Sequence, residues 1–97
     1  MDWTIEVIVV PVSDADRSKK FYSEQVGFVV DVDRQVNPEL RVVQLTPPGS
    51  ACSIAFGSGM SPSEPGTLKG LQLVVPDIEQ AHTELAERGV EVSPVRQ

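Results

Sequence analysis

The chain has 97 residues and a formal net charge of −6, and 40% of its residues are hydrophobic. A single domain is expected at this length, and the negative charge argues against a nucleic-acid partner, whose phosphates need a basic surface. No apolar stretch is long enough to span a bilayer, and the acidic start is unlike a signal peptide. Because Cys52 is the only cysteine, no internal disulfide can form. We therefore expect a cytoplasmic protein with no membrane partner.

The chain opens with a predicted strand followed by a predicted helix. Residues 5–12 are mostly β-branched and favour a strand. Ser13 or Asp14 then caps a helix in which apolar residues recur at helical spacing. Gly27 is expected to end this helix in the left-handed conformation.

Three more strands are predicted in the first half. Apolar and acidic residues alternate over 28–33, which predicts a strand with Asp31 and Asp33 together on one solvated face. Residues 40–46 and 51–56 predict two further strands, because both are apolar runs bounded by turn residues.

The second half repeats the opening pattern. Residues 70–75 predict a strand, and Asp77 caps a helix with Gln80 as its partner in a capping box. Gly89 ends this helix, and residues 90–92 predict the start of another strand.

An internal repeat organises the whole chain. Asp14 and Asp77 are separated by 63 residues, and Gly27 and Gly89 by 62. The first unit is strand–helix–strand–strand–strand, whereas the second reaches only strand–helix–strand before the chain stops. A full copy would need about 25 further residues. Either the chain is truncated or another chain completes the sheet, and since an open sheet edge tends to pair, we expect a homodimer.

Two sequence motifs resemble the vicinal-oxygen-chelate superfamily, which includes glyoxalases, bleomycin-resistance proteins and extradiol dioxygenases. In the first half, the likeness lies in residues 10–22, which end in Phe21-Tyr22, followed by Val26-Gly27-Phe28. In the second half, it lies in residues 71–78 and 87–90. The resemblance covers nearly the whole chain.

This resemblance implies an α+β fold of two βαβββ modules, each with a curved mixed sheet, that together enclose a cup. The second module lacks its last two strands in this chain. One domain would span residues 1–97, with module one at about 4–57, a linker at about 58–68 and the incomplete module two at about 69–97.

The resemblance also implies where a divalent metal would bind. Family spacing places the first-strand ligand positions of the two modules at Val7 and Gly70, which are again 63 residues apart. The acidic position on the fourth strand falls at Ala55, or at Phe56 if the register shifts by one. None of these side chains supplies the oxygen or nitrogen donors that such metals need. No cofactor and no metal ligand are therefore predicted.

No catalytic residue emerges from the sequence, but a ligand pocket does. Val7 and Val9 share a strand face, Gln72 shares one with Gly70, and Arg41 is a candidate partner for an anionic ligand. The lone helical His82 is interpreted as a boundary or surface residue. The full set of candidate pocket residues is Val7, Val9, Arg41, Ala55, Phe56, Gly70 and Gln72.

Two functions remain open from the sequence. The first is a protein of the glyoxalase and bleomycin-resistance kind that binds a small organic molecule in the cup without the family's metal. The alternative is a metal-dependent lyase, isomerase or dioxygenase of the glyoxalase family, which would need its divalent metal held by residues at other positions. The sequence does not decide whether the chain is an enzyme.

Overall fold

A computed structural model describes residues 1–60 and 64–95 of the chain. The α+β class predicted from the sequence is confirmed. In chain order the elements are β1 (Val7–Val9), α1 (Ala15–Lys20), a π-helical continuation of α1 (Phe21–Val26), β2 (Val29–Asn37), β3 (Leu40–Thr46), β4 (Ser53–Ser58) and α2 (Ile78–Glu87).

The first half forms a mixed four-stranded sheet in the order β1-β4-β3-β2. β1 pairs with β4 in parallel, and the other two pairs are antiparallel. The parallel pair requires a long crossover, which α1 and the following two strands supply. The predicted strand–helix–strand–strand–strand unit is therefore present.

The core lies between one face of this sheet and the first helix. Its buried side chains come from the residue just before β2 and from the two inner strands: Phe28, Val43, Leu45, Ile54 and Phe56. Tyr22 covers them from the helix, with its ring centroid 5.7 Å from that of Phe28 and 5.9 Å from that of Phe56. This aromatic contact fixes which face of the sheet is inside.

Both helices begin and end as the sequence predicts. Asp14 accepts a hydrogen bond from the Arg17 amide, and Asp77 accepts one from the Gln80 amide, each at 3.1 Å. Gly27 follows the first helix in the left-handed region with φ 94°. The capping box is only half formed, because the Gln80 side chain donates to Glu84 and not back toward Asp77.

The two strands predicted in the second half are not formed. Residues 70–75 and 90–92 lie outside any strand. Within residues 1–60 and 64–95 neither segment lies beside a partner strand, whereas β1 pairs with β4. A strand needs such a neighbour for its backbone hydrogen bonds. Residues 61–63 of the predicted linker and residues 96–97 of the second module lie outside the described residues.

Candidate functional site

The sheet face turned away from the helix is the main candidate surface, and we call it the open face. Val7 and Val9 on β1 lie on it in register with Ser53 and Ala55 on β4. The two valines remain 39% and 38% exposed. The open face also carries residues from the other two strands, namely Val29 and Val32 on β2 and Gln44 and Thr46 on β3.

A β-bulge in β2 brings an acidic side chain onto the open face. The register with β3 shifts between Val30 and Val32, so that Asp31 has no direct partner. Because a bulge re-aims the side chains around it, Asp31 reaches Thr46 on the open face while Asp33 turns to the helix. The prediction that the two aspartates share one solvated face is therefore wrong.

Three polar side chains form a hydrogen-bonded chain across the open face. The Thr46 hydroxyl donates to the Asp31 carboxylate, and the Ser53 hydroxyl lies 2.6 Å from the Thr46 oxygen. Ser53 is buried, Thr46 is half-buried and Asp31 is exposed. These hydrogen-bonded side chains thus extend from the buried Ser53 to the solvent-exposed Asp31, with exposed valines on either side.

The predicted pocket residues divide between the two faces. Val7, Val9 and Ala55 come together on the open face, as the resemblance implied. Phe56 does not, because its side chain is fully buried in the core on the helix side. Of the two candidates for the fourth-strand position, Ala55 is therefore the one on the open face, and Phe56 was wrongly included among the pocket residues.

Arg41 is also misplaced by the sequence argument. Its side chain lies on the helix face, where Nη1 is 2.7 Å from Asp16 and Nη2 is 3.0 Å from Asp33. Lys19 adds a second cation 2.7 Å from Asp33. Hydrogen bonds from Arg41, and to a smaller extent from Lys19, lower the pKa of Asp33 to about 2. The carboxylates of Asp33 and Asp16 in turn raise the pKa of Arg41. Arg41 thus links β3 to α1 through its ion pair with Asp16. Its side chain lies on the opposite side of the sheet from the open face.

Gly70 and Gln72 are not on the open face either. Gly70 is exposed with φ 84° and lies outside any strand. Gln72 lines a cleft of about 730 Å³ between the two halves of the chain, opposite Phe28 and the turn at 47–50. The settings of Val7 and Gly70 therefore differ, although their sequence positions correspond.

The residues at the family's metal positions do not fit a divalent cation. The side chains of Val7 and Ala55 contain no oxygen, nitrogen or sulfur atom that could bind a metal, and Gly70 has no side chain. Among residues 1–60 and 64–95, no group of three or more His, Cys, Asp or Glu side chains is arranged to hold a metal. His82 lies instead in an apolar setting with Ile78, Ala81 and Leu85.

Sequence reasoning missed the polar chain. Its three members belong to different strands, and Asp31 reaches the others only through the bulge. Ser53 could have been predicted from the sequence, because it is two residues before Ala55 in the same strand and therefore lies on the same face. No local signal marks a bulge between Val30 and Val32.

Comparison with known proteins supports the family suggested by the sequence motifs. Residues 4–97 match the family described as Glyoxalase/Bleomycin resistance protein/Dioxygenase superfamily. No curated protein matches significantly. In the described part of the chain, no helix has the length and apolarity needed to cross a membrane.

Solved structures resemble the chain over nearly its full length. TnmS3, an antibiotic binding protein from Streptomyces sp. CB03234, is 32% identical with a TM-score of 0.87, covering 99% of this chain and 78% of its own. A glyoxalase/bleomycin resistance protein from the same organism is 34% identical with a TM-score of 0.83, covering 97% and 82%. A superfamily member from Sphaerobacter thermophilus is 31% identical with a TM-score of 0.76, covering 91% and 73%. The chain belongs to the glyoxalase/bleomycin resistance protein/dioxygenase superfamily.

Proposed function

We propose that this protein binds a small organic molecule on the open face of its sheet, without the family's metal. One observation carries the proposal: exposed valines surround a compact hydrogen-bonded group on that face. Ligand sites combine apolar lining with a few fixed polar groups in this way. The side chains at the metal positions give no support to the enzyme alternative.

The structural neighbours support binding as the activity. TnmS3 is described as an antibiotic binding protein and shares both fold and about a third of its residues with this chain. Fold alone does not fix function, so this likeness supplements the surface chemistry of the open face.

We further propose that a second copy of the chain covers the open face and completes the cup. Residues 70–75 expose a row of apolar side chains, of which Leu73 is 54% and Val74 is 96% exposed. Exposed apolar segments with unpaired backbone favour pairing with another chain. Sedimentation analysis should find a dimer that Val74→Lys weakens, while Val36→Lys, near the β2–β3 turn, leaves it intact. A wild-type monomer at all concentrations would contradict the dimer.

Ligand binding can be tested with anthracenemethanol, a fluorescent apolar alcohol. We expect saturable binding by fluorescence and calorimetry. Val9→Glu should weaken it by about tenfold or more, because the substitution places a charge where apolar surface is buried. Val36→Glu is the matched control and should bind like the wild type. Absence of saturable binding would contradict the proposal.

Metal analysis separates binding from metal-dependent catalysis. The purified full-length chain should hold well below one equivalent of divalent metal and should bind the probe equally well after chelation. Stoichiometric metal, with probe binding lost on chelation, would contradict the metal-free proposal and favour a metalloenzyme.

A further inference from the structure

The hydrogen-bonded chain on the open face has a fixed direction. A threonine hydroxyl has one hydrogen to donate, and that of Thr46 goes to the Asp31 carboxylate. The contact of 2.6 Å between Thr46 and Ser53 is then a hydrogen bond only if Ser53 donates. The hydroxyl hydrogens of Ser53 and Thr46 therefore both point in the direction from the buried serine toward the exposed aspartate.

This direction determines what Asp31, Thr46 and Ser53 offer to a ligand. Both hydroxyl hydrogens are donated within this group of three side chains. What remains for a ligand is therefore the oxygen lone pairs of Asp31 and Thr46. Asp31 forms no ion pair with any cation among residues 1–60 and 64–95. The site accepts hydrogen bonds and has none to donate from these side chains.

From this polarity we infer that the ligand is an apolar molecule that carries a hydrogen-bond donor, an alcohol or an amine, and presents it to Asp31. The inference rests on the proposed binding function and specifies its ligand class. Val29 and Val32, which are 56% and 39% exposed, flank Asp31 and contact the apolar body. A ligand with only acceptor atoms there would face oxygen lone pairs and leave them unpaired, which binding sites penalise strongly.

The test compares two probes that differ only in the donor. Anthracenemethanol and its methyl ether share the ring system and the oxygen, but the ether has no hydroxyl hydrogen. Calorimetric titration of the full-length chain should show the alcohol binding about tenfold more tightly than the ether. Equal affinities would overturn the inference while leaving the proposed binding function in place. Failure of both probes to bind would contradict the proposed function itself.

Two aspartate substitutions on the same strand locate the effect. Asp31→Asn replaces one accepting oxygen by a donating amide nitrogen, so the preference for the alcohol should fall to about twofold or less. Asp33→Asn makes the same chemical change on the helix face and should leave the preference unchanged. Thermal unfolding of both variants shows that they are folded. An alcohol preference that survives Asp31→Asn, or one that Asp33→Asn abolishes equally, would overturn the assignment to Asp31.

Discussion

The two units of this chain share their helix signals but differ in what those helices pack against. Asp14 and Asp77 cap their helices with nearly the same backbone angles, φ −142° and ψ 102° against φ −140° and ψ 102°. Ala15, Tyr22 and Val26 of the first helix pack against the buried core of the four-stranded sheet, whereas no residue of α2 belongs to that core. Caps depend on a few adjacent residues, but strands need a partner. The same local sequence pattern therefore folds completely in one unit and only in part in the other.

The two units meet through equivalent positions. The Gln25 amide donates to the Arg88 carbonyl at 3.1 Å, and these residues are 63 apart, the same separation as the helix caps. The Arg88 guanidinium donates in return to the Val26 carbonyl at 3.3 Å. Contacts between corresponding residues are what an approximate two-fold axis produces. The repeat is thus visible in the structure at the helix ends.

The largest expected difference between the units lies in their burial of leucine. Leu45→Ala should destabilise the protein by about 3 kcal/mol, because Leu45 is fully buried and the substitution leaves a cavity. Leu85→Ala on α2 should cost about 1 kcal/mol, since Leu85 is only half-buried. Urea denaturation measures both. Equal losses would mean that α2 is buried in solution, as a partner chain would bury it.

The fold was predictable wherever the determinants are local. The sequence predicted Asp77 as a cap and both closing glycines, it narrowed the first cap to Ser13 or Asp14, and residues 40–46 match β3. The strand predicted at 70–75 failed because the apolar pattern of a segment does not reveal whether a partner strand exists.

The candidate site was predictable only in its apolar part. Alternation along β1 correctly placed Val7 and Val9 on one face, which they share with Ala55. Arg41 was misplaced because its two acidic partners come from distant parts of the chain. Asp31 was missed as a site residue because one bulge reverses the alternation that the sequence suggests.

The closing glycines give the next largest effect. Gly27→Ala should cost about 1–2 kcal/mol, because its φ of 94° disfavours a side chain and a Cβ would lie 3.1 Å from the Arg88 guanidinium. Gly49→Ala is the matched control, with φ 83° and no heavy atom within 4 Å of the added Cβ. It should cost only the left-handed strain, about 1 kcal/mol. Equal values by thermal unfolding would show that the contact between units contributes nothing.

The helix caps should respond almost alike. Asp14→Ala and Asp77→Ala each remove one bond to a helix amide and should each cost about 1 kcal/mol locally. Hydrogen exchange should show the loss in the amides of the corresponding helix. Asp14→Ala should also lower the global stability, since its helix covers the core. If Asp77→Ala lowered global stability equally, the second unit would be folded as cooperatively as the first.

The smallest effect concerns the ion pairs of the first unit. The pKa of Asp33 is lowered from 3.8 to about 2 by Arg41 and Lys19, so its folded form binds fewer protons than the unfolded chain. Its contribution, about 0.5–1 kcal/mol, is therefore present above about pH 4 and disappears as the pH falls toward 2. Asp33→Asn should be less stable than the wild type at pH 7, and the two should converge at acid pH in urea denaturation. Asp16→Asn should change less, because Asp16 is 82% exposed and its one ion pair among residues 1–60 and 64–95 is with Arg41. A difference that persists undiminished to pH 2 would show that Asp33 stabilises the sheet through something other than its charge.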